Sequence, residues 1–489
     1  MIKKTLLGLT LLVSLSIQGQ DEASITLETL SQSAIEEHIY FLASDELKGR
    51  ETGSPEIDIA AEYLATTLRR FGVQSVPGAQ EGYFQAVELE TVQPAASKRL
   101  ILGDFTTENV LVMSGSNMER SMEAVFVDHG LEKDYENKDV AGKLAVALVG
   151  KEGANDPNSS FGLAGSKRTI AKRKGAVGLI EINTFGAGIW YRFINYFGRA
   201  STQVKAEEAG DFIHLWLQDE DERLQTAAKK KKAIAEISLA GMSRTLMAAK
   251  NVVGMVEGTD PELKNEFVIY SAHYDHIGIG QPNAEGDSIY NGARDNAVGV
   301  VTVLSAAESI AKNPTKRSAL FILFTAEEKG LLGSKWYAEH PLIPMNQMVY
   351  CFNSDNGGYN DTSVATIIGL ERTTVADHIK AACKEFDLEA IDDPAPEQGL
   401  FDRSDNVSFA SKGVPAPTFS LGFRAFDAEI GKYYHQASDN PDNLDYEYLT
   451  KFFGAYVMTC RLIANDPITP FWVEGDKYHA AGKALYSGK

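Results

Sequence analysis

From Asn251 onward the chain alternates short apolar runs with helical ones, and this alternation restricts the fold more than any other feature. Residues 267–272, 319–325 and 348–353 are predominantly apolar runs of strand length. Such runs, without polar alternation, are strands buried on both faces. Between them, residues 298–311 and 331–339 carry helical patterns rich in Ala, Val and Leu. Strands and helices in this order predict an α/β fold: a mostly parallel sheet with helices on both faces. In open sheets of that kind, ligands bind beyond the carboxyl ends of the strands.

The chemistry-bearing residues fall at those ends. His273 follows the first strand, Glu327 and Glu328 the second, and Asp355 the third. Asp295 lies in GARDNAVG, which opens a helix, and His435 lies in YYHQASD. Singly, each has an ordinary reading: Asp295 caps a helix, Asp355 turns a loop beside Gly357 and Gly358, and His435 is structural. Together, two imidazoles and three carboxylates suit a pair of zinc ions. One further glutamate is left to move protons in metal-assisted hydrolysis. Spacing does not say whether Glu327 or Glu328 is the ligand. The adjacent acids repel, so their placement at a crowded strand end calls for a cation or open solvent. Asp275, two residues after His273 on an extended segment, falls on the same side and is expected to hold the His273 ring.

Composition narrows the partners. The formal net charge is −20, which disfavours nucleic acid and anionic membrane surfaces. Cys351, Cys383 and Cys460 are the only cysteines. They form no disulfide framework and read as small buried residues. No stretch after the N-terminus is apolar and long enough to span a membrane.

Residues 1–20 read as a secretory signal peptide, with basic Lys3 and Lys4, an apolar stretch over 6–17 and cleavage near Gly19 or Gln20. The expected location is therefore the periplasm or the exterior. Helical patterns follow at 27–43 and from Ala60 to Phe71, separated by the turn-rich DELKGRETGSP. Over 91–249 the texture changes to short strand-like runs such as 124–127, 144–149 and 176–182. The predicted organisation is a catalytic domain from 21–90 and 250–489, interrupted by a β-rich insert at 91–249. Within the insert, DEDERLQTAAKKKK at 219–232 reads as a solvated helix with charges matched to its dipole.

The ordered set HYDH, GARDNAVG, FTAEEKGLLGS, NSDNGG and YYHQASDNPD resembles the secreted zinc-dependent exopeptidases, which include aminopeptidases and glutamate carboxypeptidases. LASDELKGRETGS resembles their opening. AVFVDHG, GKLAVALVG and KRKGAVGLIEI resemble the protease-associated domain inserted in many members, and FWVEGDKYHAAGKALY resembles the end of bacterial ones. The resemblance implies two zinc ions: His273 and Asp355 on one, Glu328 and His435 on the other, and Asp295 bridging. It implies Glu327 as general base acting on a water between the ions, Asp275 supporting His273, and Tyr434 steadying the oxyanion. Three positions depart from the pattern: Arg294 replaces an acid, His435-Gln436-Ala437-Ser438-Asp439 replaces H-T-P-x-D, and Ser404-Asp405-Asn406 replaces S-D-H, a change expected to alter the substrate pocket. The expected activity is removal of N-terminal residues from peptides. A carboxypeptidase or dipeptidase, with Arg403 or Arg424 capturing a carboxylate, is the alternative; a glutaminyl cyclase and a non-catalytic binding protein are more remote.

Overall fold

The computed structural model describes residues 21–154, 156–205, 212–219 and 221–488. The signal-peptide expectation at 1–20 lies outside them. The chain divides into two compact units: one runs to Val87 and resumes at Ala248, and the other is Glu88–Met247.

The strands of the first unit lie in the order Glu389–Asp392, Val364–Ile368, Thr418–Leu421, Met348–Ser354, Phe267–His273, Ser318–Phe324, Ser243–Val256 and Phe84–Gln93. Phe267–His273 is central and pairs in parallel with Ser318–Phe324 and Met348–Ser354. Met348–Ser354 is also parallel to Thr418–Leu421. The flanks turn antiparallel, Ser243–Val256 against Ser318–Phe324 and Val364–Ile368 against Thr418–Leu421. The sheet is thus parallel where the apolar runs are longest and mixed toward its edges.

Side-chain alternation explains why the central strands are apolar on both faces along most of their length. Val268, Tyr270 and Ala272 enter one core with Val300, Val301 and Leu304 of helix Gly299–Lys312 and with Phe452 and Tyr456 of helix Tyr446–Asn465. Phe267 and Ile269 enter the other core, with Tyr337 of helix Leu332–Glu339, Phe409 and Trp472. Full burial of each such side chain contributes about 1.5–3 kcal/mol, so a polar residue within these strands would be costly. Most polar groups collect at the ends instead, and the buried Ser271 is satisfied by Asn353 on the neighbouring strand. The three cysteines are buried and free.

One helical expectation changes. Residues 27–43 are not one helix: the chain breaks before Ser31, whose side chain caps helix Gln32–Leu42 by accepting from the Ala34 N–H. A capping serine competes with helix continuation because its hydroxyl satisfies a free amide.

The second unit is an eight-stranded sheet, ordered Phe105–Thr107, Ser97–Leu102, Ala233–Ala240, Met118–Phe126, Leu144–Leu148, Gly178–Asn183, Ile213–Gln218 and Val110–Ser114. Its helices include Pro157–Arg173 and Ala187–Phe197. The helix expected over 219–232 shrinks to Arg223–Ala228, with Asp219 accepting from the Leu224 and Gln225 N–H groups ahead of it. The buried Lys167 Nζ lies 2.6 Å from Glu181 Oε2. Glu181 Oε1 meets His214 Nε2 at 2.9 Å and accepts from Trp216 Nε1 at 3.0 Å. Among the described residues, no helix is long and apolar enough to cross a membrane.

Candidate metal centre

Each functional side chain leaves the sheet where a strand stops. His273 is the last residue of the central strand. After Ser318–Phe324 the chain turns through Ala326, at φ 58, before Glu327 and Glu328. His435 is also left-handed, at φ 56. Non-glycine residues adopt this region sparingly, and they do so where surrounding contacts fix them, often at functional sites. Asp295 lies in an irregular turn between Gly292 and helix Gly299–Lys312. Gly292 has φ 62, and a Cβ there would stand 2.2 Å from the Asp295 carbonyl oxygen. The Gly299 N–H donates to Asn296 Oδ1, at 3.1 Å, and not to Asp295. Asp295 is left free for another task.

The predicted residues converge. Asp295 Oδ1 lies 3.4 Å from His273 Nε2, and its Oδ2 lies 3.2 Å from His435 Nε2. Its two oxygens therefore address two imidazoles separately. His273 Nε2 is also 3.2 Å from Asp355 Oδ1, and His435 Nε2 is 3.4 Å from Glu328 Oε2. His273, Asp295 and Asp355 offer ligand atoms within 4.8 Å of one another, as do His276, Asp295 and Glu328. Burial lowers the His273 pKa, but the Asp355 and Glu327 carboxylates outweigh it and raise the group well above its ordinary value. Burial pushes Glu327 well up, and Asp355, Asp405 and Glu328 add to the rise against the influence of His273.

The structure adds four residues to this account. His276 is fully buried with its Nδ1 2.8 Å from Glu328 Oε1, and its ring stands edge-on to His435 at 5.8 Å. The second imidazole of HYDH was the available signal. Arg50, from the turn-rich N-terminal segment, is buried and donates to the carbonyls of Tyr274, Leu42, Asn291 and Gly292. It ties the His273 loop to the Asp295 loop. Asn356 donates to Asn296 Oδ1 at 3.0 Å and joins the Asp355 loop to the same turn. Asp405 is fully buried, with neither carboxylate oxygen hydrogen-bonded in ordinary geometry, and burial pushes it up to about 7.

Asp275 stands beside His273, but its side chain has a different partner from the one expected. The His273 Nδ1 contact is to the Asp275 backbone oxygen, at 3.1 Å, while the carboxylate stands 3.9 Å away. That carboxylate accepts from the Glu327 and Glu328 N–H groups, at 3.0 and 3.3 Å, and from Thr52 Oγ1 at 3.0 Å. It fixes the two glutamates through their backbone. The departure at Arg294 is also balanced locally. Its guanidinium meets Asp439 at 3.1 Å and lies 3.7 Å over the Tyr433 ring, while Asp439 Oδ2 accepts from the Asp295 N–H. Asn406 braces backbone, donating to the Phe401 and Ala416 carbonyls.

A cavity of about 110 Å³ opens over the cluster. His273, Asp295, Glu327, Glu328, Asp355 and His435 line its polar side; Ile368, Leu400, Phe423, Phe426 and Tyr434 give an apolar wall. Tyr434 stacks on His435 at 4.0 Å. Arg403 is on the cavity wall. Arg424 is engaged by Asp361 and Glu389, at 2.7 and 3.1 Å.

Residues 251–459 match the model of peptidase family M28. The matched stretch holds every residue of the cluster described above. The chain is 24% identical over 245 residues to a probable leucine aminopeptidase 2 of Aspergillus oryzae, covering 44% of this chain and 45% of that protein. It is 24% identical over 235 residues to aminopeptidase Y of Saccharomyces cerevisiae, covering 45% of this chain and 38% of that one. The match thus spans less than half the length of these curated relatives. The aminopeptidase from Aneurinibacillus sp. strain AM-1 has the same α/β fold, with a TM-score of 0.56 and 22% identity over 92% of this chain and 97% of that one.

Proposed function

We propose that the protein is a di-zinc aminopeptidase that hydrolyses the first peptide bond of a peptide. The arrangement of Asp295, one oxygen toward each of two imidazoles, carries this reading. The donor set fits the metal. Buried carboxylates outnumber the cations that face them, and His276 Nε2 and both Asp405 carboxylate oxygens are buried without hydrogen-bond partners. An uncompensated cluster of this kind costs several kcal/mol unless a cation joins it. His273 and Asp355 would hold one zinc, Glu328 and His435 the other, and Asp295 both. His276 would hold Glu328 in place through Oε1. Zinc held there supplies a Lewis acid and lowers the pKa of water to about 7.

The chain's own residues do the rest. Glu327, aligned by the Asp275 contact to its N–H, accepts the proton of the attacking water. The water oxygen bonds to the first peptide carbonyl carbon, and Glu327 passes its proton to the departing amine nitrogen. Tyr434 faces the developing oxyanion. Glu327 and Asp355 give a free α-amine an acidic dock, and the apolar wall suits a side chain such as leucine. Residues 91–249 would be the protease-associated insert, and residues 1–20 an export signal that directs the enzyme to the periplasm or exterior. Arg403 on the cavity wall favours one second reading, capture of a C-terminal carboxylate. The test compares leucyl-arylamide with its N-acetylated form and with an N-blocked dipeptide. Cleavage of the free form alone supports the proposal. Release of only the C-terminal residue from the blocked dipeptide would move the assignment to a carboxypeptidase.

A further inference from the structure

The second unit has a cavity of its own, of about 370 Å³, on whose wall stand Lys98, Arg168, Lys172, Arg199 and Arg244. In a chain with a formal net charge of −20, five cations around one space run against the composition. Of the five, Arg244 alone has a carboxylate partner among the described residues, Glu90. Lys172 lies over the Phe212 ring at 5.3 Å, and Arg168 and Lys172 stand one turn apart on helix Pro157–Arg173. Like charges at that spacing repel on one helix face. Burial lowers the Lys98 pKa, a sign that its charge lacks solvation. A second observation comes from the backbone. Val110–Ser114 is an edge strand whose register against Ile213–Gln218 shifts between Val112 and Ser114. Bulges of this kind re-aim side chains and recur beside binding sites. Ser114 stands on the cavity wall with its Oγ buried and without a hydrogen-bond partner.

We propose that this cavity binds a carboxylate-rich segment of a peptide, with Arg168 and Arg199 as its principal contacts. Guanidinium groups without a carboxylate partner among the described residues suit carboxylates, which they take in bidentate geometry. The Phe197, Phe212 and Met242 side chains on the same wall suit an organic chain better than a bare ion. That the carboxylates belong to a peptide rests on the peptidase reading, but binding is measured without catalysis. Fluorescein-labelled hexaglutamate is titrated into the full chain by anisotropy, beside hexaserine and inorganic phosphate. Hexaglutamate should bind at least about tenfold more tightly than hexaserine and weaken as salt rises. Arg168→Ser with Arg199→Ser should weaken it by about tenfold or more, with an unchanged melting curve and unchanged turnover of leucyl-arylamide. Equal binding by the double variant, equal binding of hexaserine, or displacement by phosphate at the same concentration as free hexaglutamate would overturn the proposal. If neither protein cleaves the arylamide, the peptidase reading fails on its own and the binding results still decide this one.

Discussion

Both units bury charge, and the way each balances it separates architecture from chemistry. In the second unit Glu181 is met by Lys167, His214 and Trp216, so its oxygens are satisfied within the fold. In the first, Asp295, Glu327, Glu328, Asp355 and Asp405 gather around imidazoles at the ends of parallel strands, and several buried atoms remain unpartnered. A closed network stabilises its own domain. An open one with surplus negative charge is stable only with something added, and its place on the sheet is where ligands bind.

The sharpest way to break this comparison is to neutralise one carboxylate in each unit. Glu327→Gln should cut turnover of leucyl-arylamide by about two to four orders of magnitude while zinc content stays near that of the parent. The same assay on Glu328→Gln should show weakened zinc retention. The reverse pattern would exchange the roles of the two glutamates. In the second unit Glu181→Gln should leave turnover per folded molecule unchanged but destabilise by about 3–5 kcal/mol, because Lys167 loses its charge partner. Denaturant melts would show this, and a stable variant would mean that the network is not closed as described.

A smaller effect tests the surplus directly. Asp405 is pushed up to about 7 by burial. Its folded pKa lies above its unfolded one, so the proton is held more tightly in the native state. In metal-free protein, stability should therefore fall as pH rises from about 4 to about 7 and level off above. Asp405→Asn should flatten that decline, with a gain on the order of 1–4 kcal/mol at pH 8. Identical pH profiles for parent and variant would remove Asp405 from the charge surplus. Smallest, Ser31→Ala should cost about 1 kcal/mol through loss of the helix cap, with no change in zinc content.

The sequence made the central strands and the ligands legible because both follow simple rules. An apolar run buried on two faces needs no partner to be recognised, and Phe267–His273 and Ser318–Phe324 show this. The polar residue that ends such a run is conspicuous, as His273 and Asp355 were. Residues that act by bracing backbone left no such mark. Arg50 belongs to a segment that reads as a turn, and its carbonyl acceptors lie as far away as Gly292. His276 was overshadowed by His273, and only the fold brings it to Glu328. Asn406 read as a pocket change, whereas its amide holds two carbonyls. Nothing next to Lys167 in the sequence marks it as buried, because Glu181, which neutralises it, lies on strand Gly178–Asn183.

The central claim is that the open cluster holds two ions sharing Asp295. Zinc per chain, measured by elemental analysis on protein purified with zinc and dialysed, tests it most directly when Asp295→Asn is analysed beside the parent. The account predicts two zinc ions in the parent, and at most one with lost turnover in the variant. One ion in a fully active parent, or two retained in Asp295→Asn, would contradict it.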